Sequence, residues 1–134
     1  MEENLKQLLL VDLCARLPHG IKAKYISDNL IVYGSGIFTL TSCDMNGYCG
    51  LGDYQTDIRA SLKEFKPYLR PISSMTEEER KEYQKIKDNI SYVNGWLNYH
   101  IVDDWLNKNM FDYRNLIEKG LALKAKEGMY NLKD

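Results

Sequence analysis

The chain has 134 residues, with 18 Lys+Arg against 19 Asp+Glu and a formal net charge of -1. That is the length of one domain, and 44% hydrophobic with 28% charged residues is the mix of a folded globular chain rather than a disordered one. The near-balanced charge argues against a dedicated binder of nucleic acid or of an anionic membrane, and no apolar run reaches the ~18 residues of a membrane span.

Residues 2–17 read as a helix: Leu5, Leu8, Leu9, Leu13 and Leu17 recur at spacings of three and four, and Pro18 stops the pattern. Leu10, Val11 and Cys14 add apolar surface outside that stripe, so the helix is expected to be wrapped by its own domain or to meet a second copy in a two-fold dimer. The segment opens with acids and lacks the basic stretch of a secretion signal, so a cytoplasmic location is expected.

From Gly20 to Pro71 the texture changes to short alternating stretches between glycines. Ile21, Ala23 and Tyr25 alternate with Lys22 and Lys24; Leu30 to Tyr33 and Ile37 to Ser42 form two more strands around Gly34-Ser35-Gly36. Asn46-Gly47 fits a type I′ hairpin, whose two central residues take positive φ. Ile58, Ala60 and Leu62 then face one way, and Arg59, Ser61 and Lys63 the other. Phe65 to Pro71, with Pro67 inside it, reads as an extended connector that cannot continue a central strand.

Ser74 is expected to cap the next helix, with Glu77 completing a capping box and Met75, Tyr83, Ile86, Ile90 and Val93 on the packed face. Asn94-Gly95 interrupts, and Leu97, Ile101, Val102, Trp105 and Leu106 outline a third helix. A short fourth helix is expected between Asp112 as N-cap and Gly120 as left-handed C-cap, with Phe111 and Leu116 as a hydrophobic staple. Leu121, Leu123 and Ala125 alternate as one short strand.

The expected architecture is a single α+β domain over 1–134: a helix (1–18), a small curled antiparallel, SH3-like sheet (20–72) and a C-terminal helical layer (74–134).

Three strings carry a resemblance: Leu8-Leu9-Leu10-Val11-Asp12-Leu13-Cys14-Ala15-Arg16-Leu17-Pro18; Pro67-Tyr68-Leu69-Arg70-Pro71-Ile72-Ser73-Ser74-Met75-Thr76-Glu77-Glu78-Glu79; and Asp104-Trp105-Leu106-Asn107 running on through Phe111-Asp112-Tyr113-Arg114 to Leu123. They resemble a family of small uncharacterised proteins of gut Bacteroides-type bacteria and their phages or mobile elements. The resemblance implies a bacterial or phage origin and transfers no catalytic or binding residue.

Chemistry-bearing residues are sparse. Cys14, Cys43 and Cys49 lack metal-ligand spacing and are expected as reduced thiols, with a Cys43–Cys49 disulfide across a hairpin as the alternative. His100, Asp103, Asp104 and Asn107 share a helix face at i, i+3, i+4 and i+7, which also describes an ordinary solvated face. Gly34-Ser35-Gly36 and Gly50-Leu51-Gly52 lie between strands rather than before a helix, so they read as turn glycines instead of phosphate loops. No catalytic residue, metal or cofactor is expected.

The candidate binding surface is aromatic and basic: Tyr25, Tyr33, Tyr48, Tyr54 and Tyr68 beside Lys22, Lys24, Arg59, Lys63 and Arg70, with Lys66 as a further basic neighbour. Tyr also suits an ordinary half-buried strand. The expected function is that of a non-catalytic accessory protein that binds another macromolecule, a protein before a nucleic acid. The alternative is a nucleic-acid module using that sheet or the C-terminal helix pair, although residues 96–134 hold as many acids as bases.

Overall fold

The computed structural model describes residues 2–28, 36–53, 57–90, 92–93, 96–97 and 100–130. Among them, helix α1 (Glu3–Arg16) runs into a 3₁₀ turn at Leu17–His19 that holds Pro18, and Gly20 closes it at φ 78°. The strands β1 (Lys22–Tyr25), β2 (Ile37–Cys43), β3 (Tyr48–Gly52), β4 (Asp57–Ser61) and β5 (Phe65–Leu69) follow, then α2 (Glu77–Asp88). A two-strand ladder, β6 (Tyr92–Val93) with β7 (Trp96–Leu97), precedes α3 (His100–Lys108) and β8 (Leu123–Lys124). The class is α+β, as expected.

The sheet has six strands in the order β4-β3-β2-β1-β5-β8 and is not closed. It is mixed rather than purely antiparallel, because β8 joins β5 in parallel through Tyr68 with Leu123 and Leu69 with Lys124. Its inner face is apolar: Ala23, Tyr25, Phe38, Leu40, Cys49, Leu51, Ala60, Phe65 and Leu69 are buried together with Leu9 and Leu13 of α1. A second cluster joins Met75, Trp105, Leu106 and Phe111, against which Tyr83 and Ile86 of α2 pack. There the Trp105 ring stacks between Tyr83 and Phe111, at 5.4 and 5.6 Å.

Several expectations are corrected. Pro67 sits inside a strand, opposite Ala23. The ladder tolerates it because the Ile26 N–H donates to the Glu64 carbonyl, which by alternation makes Ala23/Pro67 a pair that exchanges no hydrogen bond. At the next rung Tyr130 intervenes: its hydroxyl accepts from the Lys22 N–H at 2.9 Å and donates to the Tyr68 carbonyl at 2.7 Å.

The β2–β3 turn is not type I′. Gly47 has φ 83° while Asn46 is not in the positive-φ region. The Gly47 N–H donates to the Asp44 carbonyl and the Asp44 N–H to the Tyr48 carbonyl, the pattern of a type I turn closed by a glycine bulge.

The cap of α2 is Thr76, not Ser74: its hydroxyl accepts from the Glu79 N–H, and the Glu79 carboxylate accepts from the Thr76 N–H. Ser74 instead belongs to a 3₁₀ turn and donates to the Pro71 carbonyl. Val93 lies in β6 and Leu97 in β7, so neither belongs to the helix assigned to it.

The fourth helix is absent. Asp112 does accept backbone hydrogen bonds, but from Leu116 and Ile117 N–H, and Asn115 at φ 60° breaks the helical path between them. Phe111 and Leu116 pack in different clusters and form no staple. The expected strand at Leu30 to Tyr33 and the break at Asn94-Gly95 lie outside the described residues.

Candidate binding face

The polar residues of the alternating strands all reach the other side of the sheet. Strand pairing aligns Lys22 with Thr39, Thr39 with Gly52 and Gly52 with Asp57, then Ser42 with Gly50 and Gly50 with Arg59, and residues paired across a ladder share a face. Lys24 and Lys66 are direct cross-strand partners on this same face.

One irregularity makes the alternation work. The β2–β3 register slips between Leu40 and Ser42, so Thr41 is an extra residue. Without it, Leu40 and Cys43 would point to opposite faces; with it, both point inward and Ser42 points out. The bulge crowds Thr41 and Ser42 over a single partner, Gly50. A Cβ there would stand 2.5 Å from the Thr41 hydroxyl and 2.6 Å from that of Ser42.

Above Gly50 lies a groove of about 320 Å³ lined by Thr41, Ser42, Asp44, Tyr48 and Arg59. The Arg59 guanidinium lies 5.2 Å from the centroid of the Tyr48 ring and is ion-paired with Asp44. The Tyr48 N–H, joined by the Asn46 N–H and the Arg59 charge, holds the Asp44 carboxyl below its ordinary range.

On the same outer face, carried by β1 and β5, stand Lys22, Lys24 and Lys66. Like charges placed directly opposite, as Lys24 and Lys66 are, destabilise a ladder. Among the described residues none of these three lysines has an ion-pair partner.

The candidate surface residues divide accordingly. Tyr48, Arg59, Lys22 and Lys24 share the outer face, and Lys63 is exposed in the turn after β4. Tyr25 and Tyr68 are buried; the Tyr25 hydroxyl donates to Glu64. Arg70 is engaged, holding Glu79 with two bonds of 2.6 and 2.8 Å and lying 4.2 Å from the centroid of the Phe111 ring. Partial burial works against the Glu79 charge, but Arg70 and the Thr76 N–H outweigh it and hold that carboxyl low. Tyr33 and Tyr54 lie outside the described residues, as does most of Gly34-Ser35-Gly36. On α3, His100, Asp103 and Asp104 are exposed, whereas Asn107 is buried and accepts from the Tyr113 hydroxyl.

A buried ionic cluster had escaped the sequence reading. Asp12 and Arg16, one turn apart on α1, are fully buried and doubly bonded at 2.9 and 3.1 Å. Arg16 also donates to the Phe111 carbonyl, and Arg114 reaches the same Asp12 carboxylate at 2.6 Å. The signal was present: Asp12 and Arg16 fall on the helix face of Leu9 and Leu13. Charges in that stripe must be paired to be tolerated, and here they tie α1 to residues 111–114.

All three cysteines are free thiols, with the sulfurs of Cys43 and Cys49 3.1 Å apart. Among the described residues no helix is long and apolar enough to cross a membrane. No family model, no curated protein and no solved structure matches the chain.

Proposed function

We propose that the chain is a non-catalytic binding module, cytoplasmic and of a bacterium or its mobile elements, that holds an acidic protein partner on the outer face of its sheet. The observation that carries this reading is the row Lys22, Lys24 and Lys66 on adjacent strands, with no ion-pair partner among the described residues. A partner carboxylate between Lys24 and Lys66 relieves their mutual repulsion, so binding and ladder stability reinforce each other. Tyr48 and Arg59 supply the aromatic and guanidinium groups that anchor protein interfaces.

The strand order β4-β3-β2-β1-β5, a meander whose fifth strand returns to the first, supports an SH3-like reading of the antiparallel part. The strings Leu8 to Pro18, Pro67 to Glu79 and Asp104 to Leu123 support a kinship with proteins of Bacteroides-type bacteria and their phages. Along α1, Val11 is exposed while Leu10 packs on its own core and the Cys14 thiol turns to Cys43, so a two-fold contact through this helix would be centred on Val11.

The same lysine row and the Tyr48–Arg59 stack favour a second reading, a groove for single-stranded nucleic acid. Salt titration separates the two. Affinity for DNA or RNA that falls steeply as salt rises supports the second reading, and undetectable binding to either removes it.

A further inference from the structure

Cys14, Cys43 and Cys49 are the only cysteines of the chain, and the fold brings all three to one place. Cys43 and Cys49 face each other across β2 and β3 on the inner side of the sheet. Because the Asp44 N–H donates to the Tyr48 carbonyl, the adjacent Cys43/Cys49 pair is one that exchanges no backbone hydrogen bond. Such pairs bring Cα atoms to about 4.5 Å, within the span that a disulfide bridges. The sulfurs already stand 3.1 Å apart. From α1, the Cys14 thiol lies against that of Cys43. Exposure falls along the set: Cys14 is exposed, Cys43 half-buried and Cys49 buried.

We propose that Cys43 and Cys49 form a reversible dithiol–disulfide couple, and that Cys14 is the solvent-facing thiol through which a low-molecular-weight disulfide oxidises it. The chemistry is three exchanges. The Cys14 thiolate attacks the small disulfide, forming a mixed disulfide and releasing one thiolate. Cys43, giving up its proton to solvent, attacks the Cys14 sulfur and releases the second small thiolate. Cys49, losing its own proton, then attacks Cys43 and returns Cys14 to the thiol. Two protein thiols and one small disulfide become one protein disulfide and two small thiols, with two electrons passing to the reagent.

The Thr41 bulge is what permits this. It turns Cys43 inward onto Cys49, and the bond would clamp the base of the Asp44–Gly47 turn that carries Asp44 and borders Tyr48. Partial desolvation and the neighbouring Cys43 raise the Cys14 thiol above its ordinary range, and the hydrogen bond with Cys49 together with burial pushes Cys43 further up, so both stay protonated at neutral pH. Exchange should therefore be slow at pH 7 and rise about tenfold per pH unit up to pH 9, following the thiolate fraction.

The test uses the full chain and glutathione disulfide as the oxidant, followed by alkylation, intact mass and peptide mapping. The expected product loses two of three thiols, joins Cys43 to Cys49 and leaves Cys14 open to alkylation. Cys14→Ser should form the same bond at least ~10-fold more slowly, and Cys49→Ala should stop at Cys14–Cys43. The wild-type map needs no variant to fold. Three surviving thiols under excess glutathione disulfide, or a product joined through Cys14 between two chains, would overturn the couple. An unchanged rate in Cys14→Ser would overturn the entry role of Cys14.

Discussion

The two faces of the sheet are built from the same strands and differ in nearly everything else. The inner face buries Phe38, Leu40, Leu51, Ala60 and Phe65 against α1. On the outer face stand Lys22, Lys24, Lys66, Arg59 and Ser42, none of them buried. Alternation alone would not produce this, because seven residues of β2 at strict period two would turn Cys43 outward. One inserted residue, Thr41, restores the separation, and Gly50 is the position that accommodates it. A face is thus specified by its pattern together with the places where the pattern is broken.

The largest effect should come from the charge hidden on the inner side. Asp12→Ala leaves Arg16 buried without its carboxylate and should cost ~3–5 kcal/mol, read as a lower denaturation midpoint in urea. Leu51→Ala, also fully buried, should cost ~3 kcal/mol, whereas Arg59→Ala on the opposite face should stay within ~0.5 kcal/mol. Equal losses from these two would dissolve the distinction between the faces.

Gly50→Ala forces two hydroxyls aside and should cost ~1 kcal/mol, with the loss reduced in a Thr41→Ala, Ser42→Ala background. Lys24→Glu should move the other way, gaining up to ~0.5 kcal/mol as repulsion with Lys66 becomes attraction, with the gain shrinking at high salt.

Neither face holds the Arg70–Glu79 pair, which joins the end of β5 to α2 and provides a control. Because the Glu79 carboxyl is held below its unfolded value, its contribution is complete above that value and is lost as pH falls through the lower folded one. Stability of the wild type should therefore drop between about pH 5 and pH 2 by more than that of Glu79→Gln.

How far the sequence could be read follows from the same logic. The inner face was legible because Ala23 and Tyr25, or Ile58 and Ala60, repeat at period two and nothing else explains their order. Pro67 misled because its missing N–H matters only at a hydrogen-bonded rung, and rung parity is set by the partner strand. The α2 cap was ambiguous since Ser74…Glu77 and Thr76…Glu79 are equal capping boxes on paper. The grip of Arg70 on Glu79 favours the second.

Asn115 at positive φ cancelled a well-punctuated helix, a tertiary choice made where Leu116 packs in the sheet core and Phe111 in the other cluster. Of the candidate surface, Tyr48, Arg59, Lys22 and Lys24 could be assembled only once the register was known, and Lys66, legible as a basic neighbour, could be set opposite Lys24 only with β5 as a strand.

The most direct test of the outer face as a partner surface is affinity capture from lysate of the source cells, comparing wild type with Lys24→Glu, Lys66→Glu and including a nuclease-treated arm. The account predicts a protein retained by the wild type through nuclease treatment and lost from the equally folded variant. The same protein held equally by both chains would contradict it.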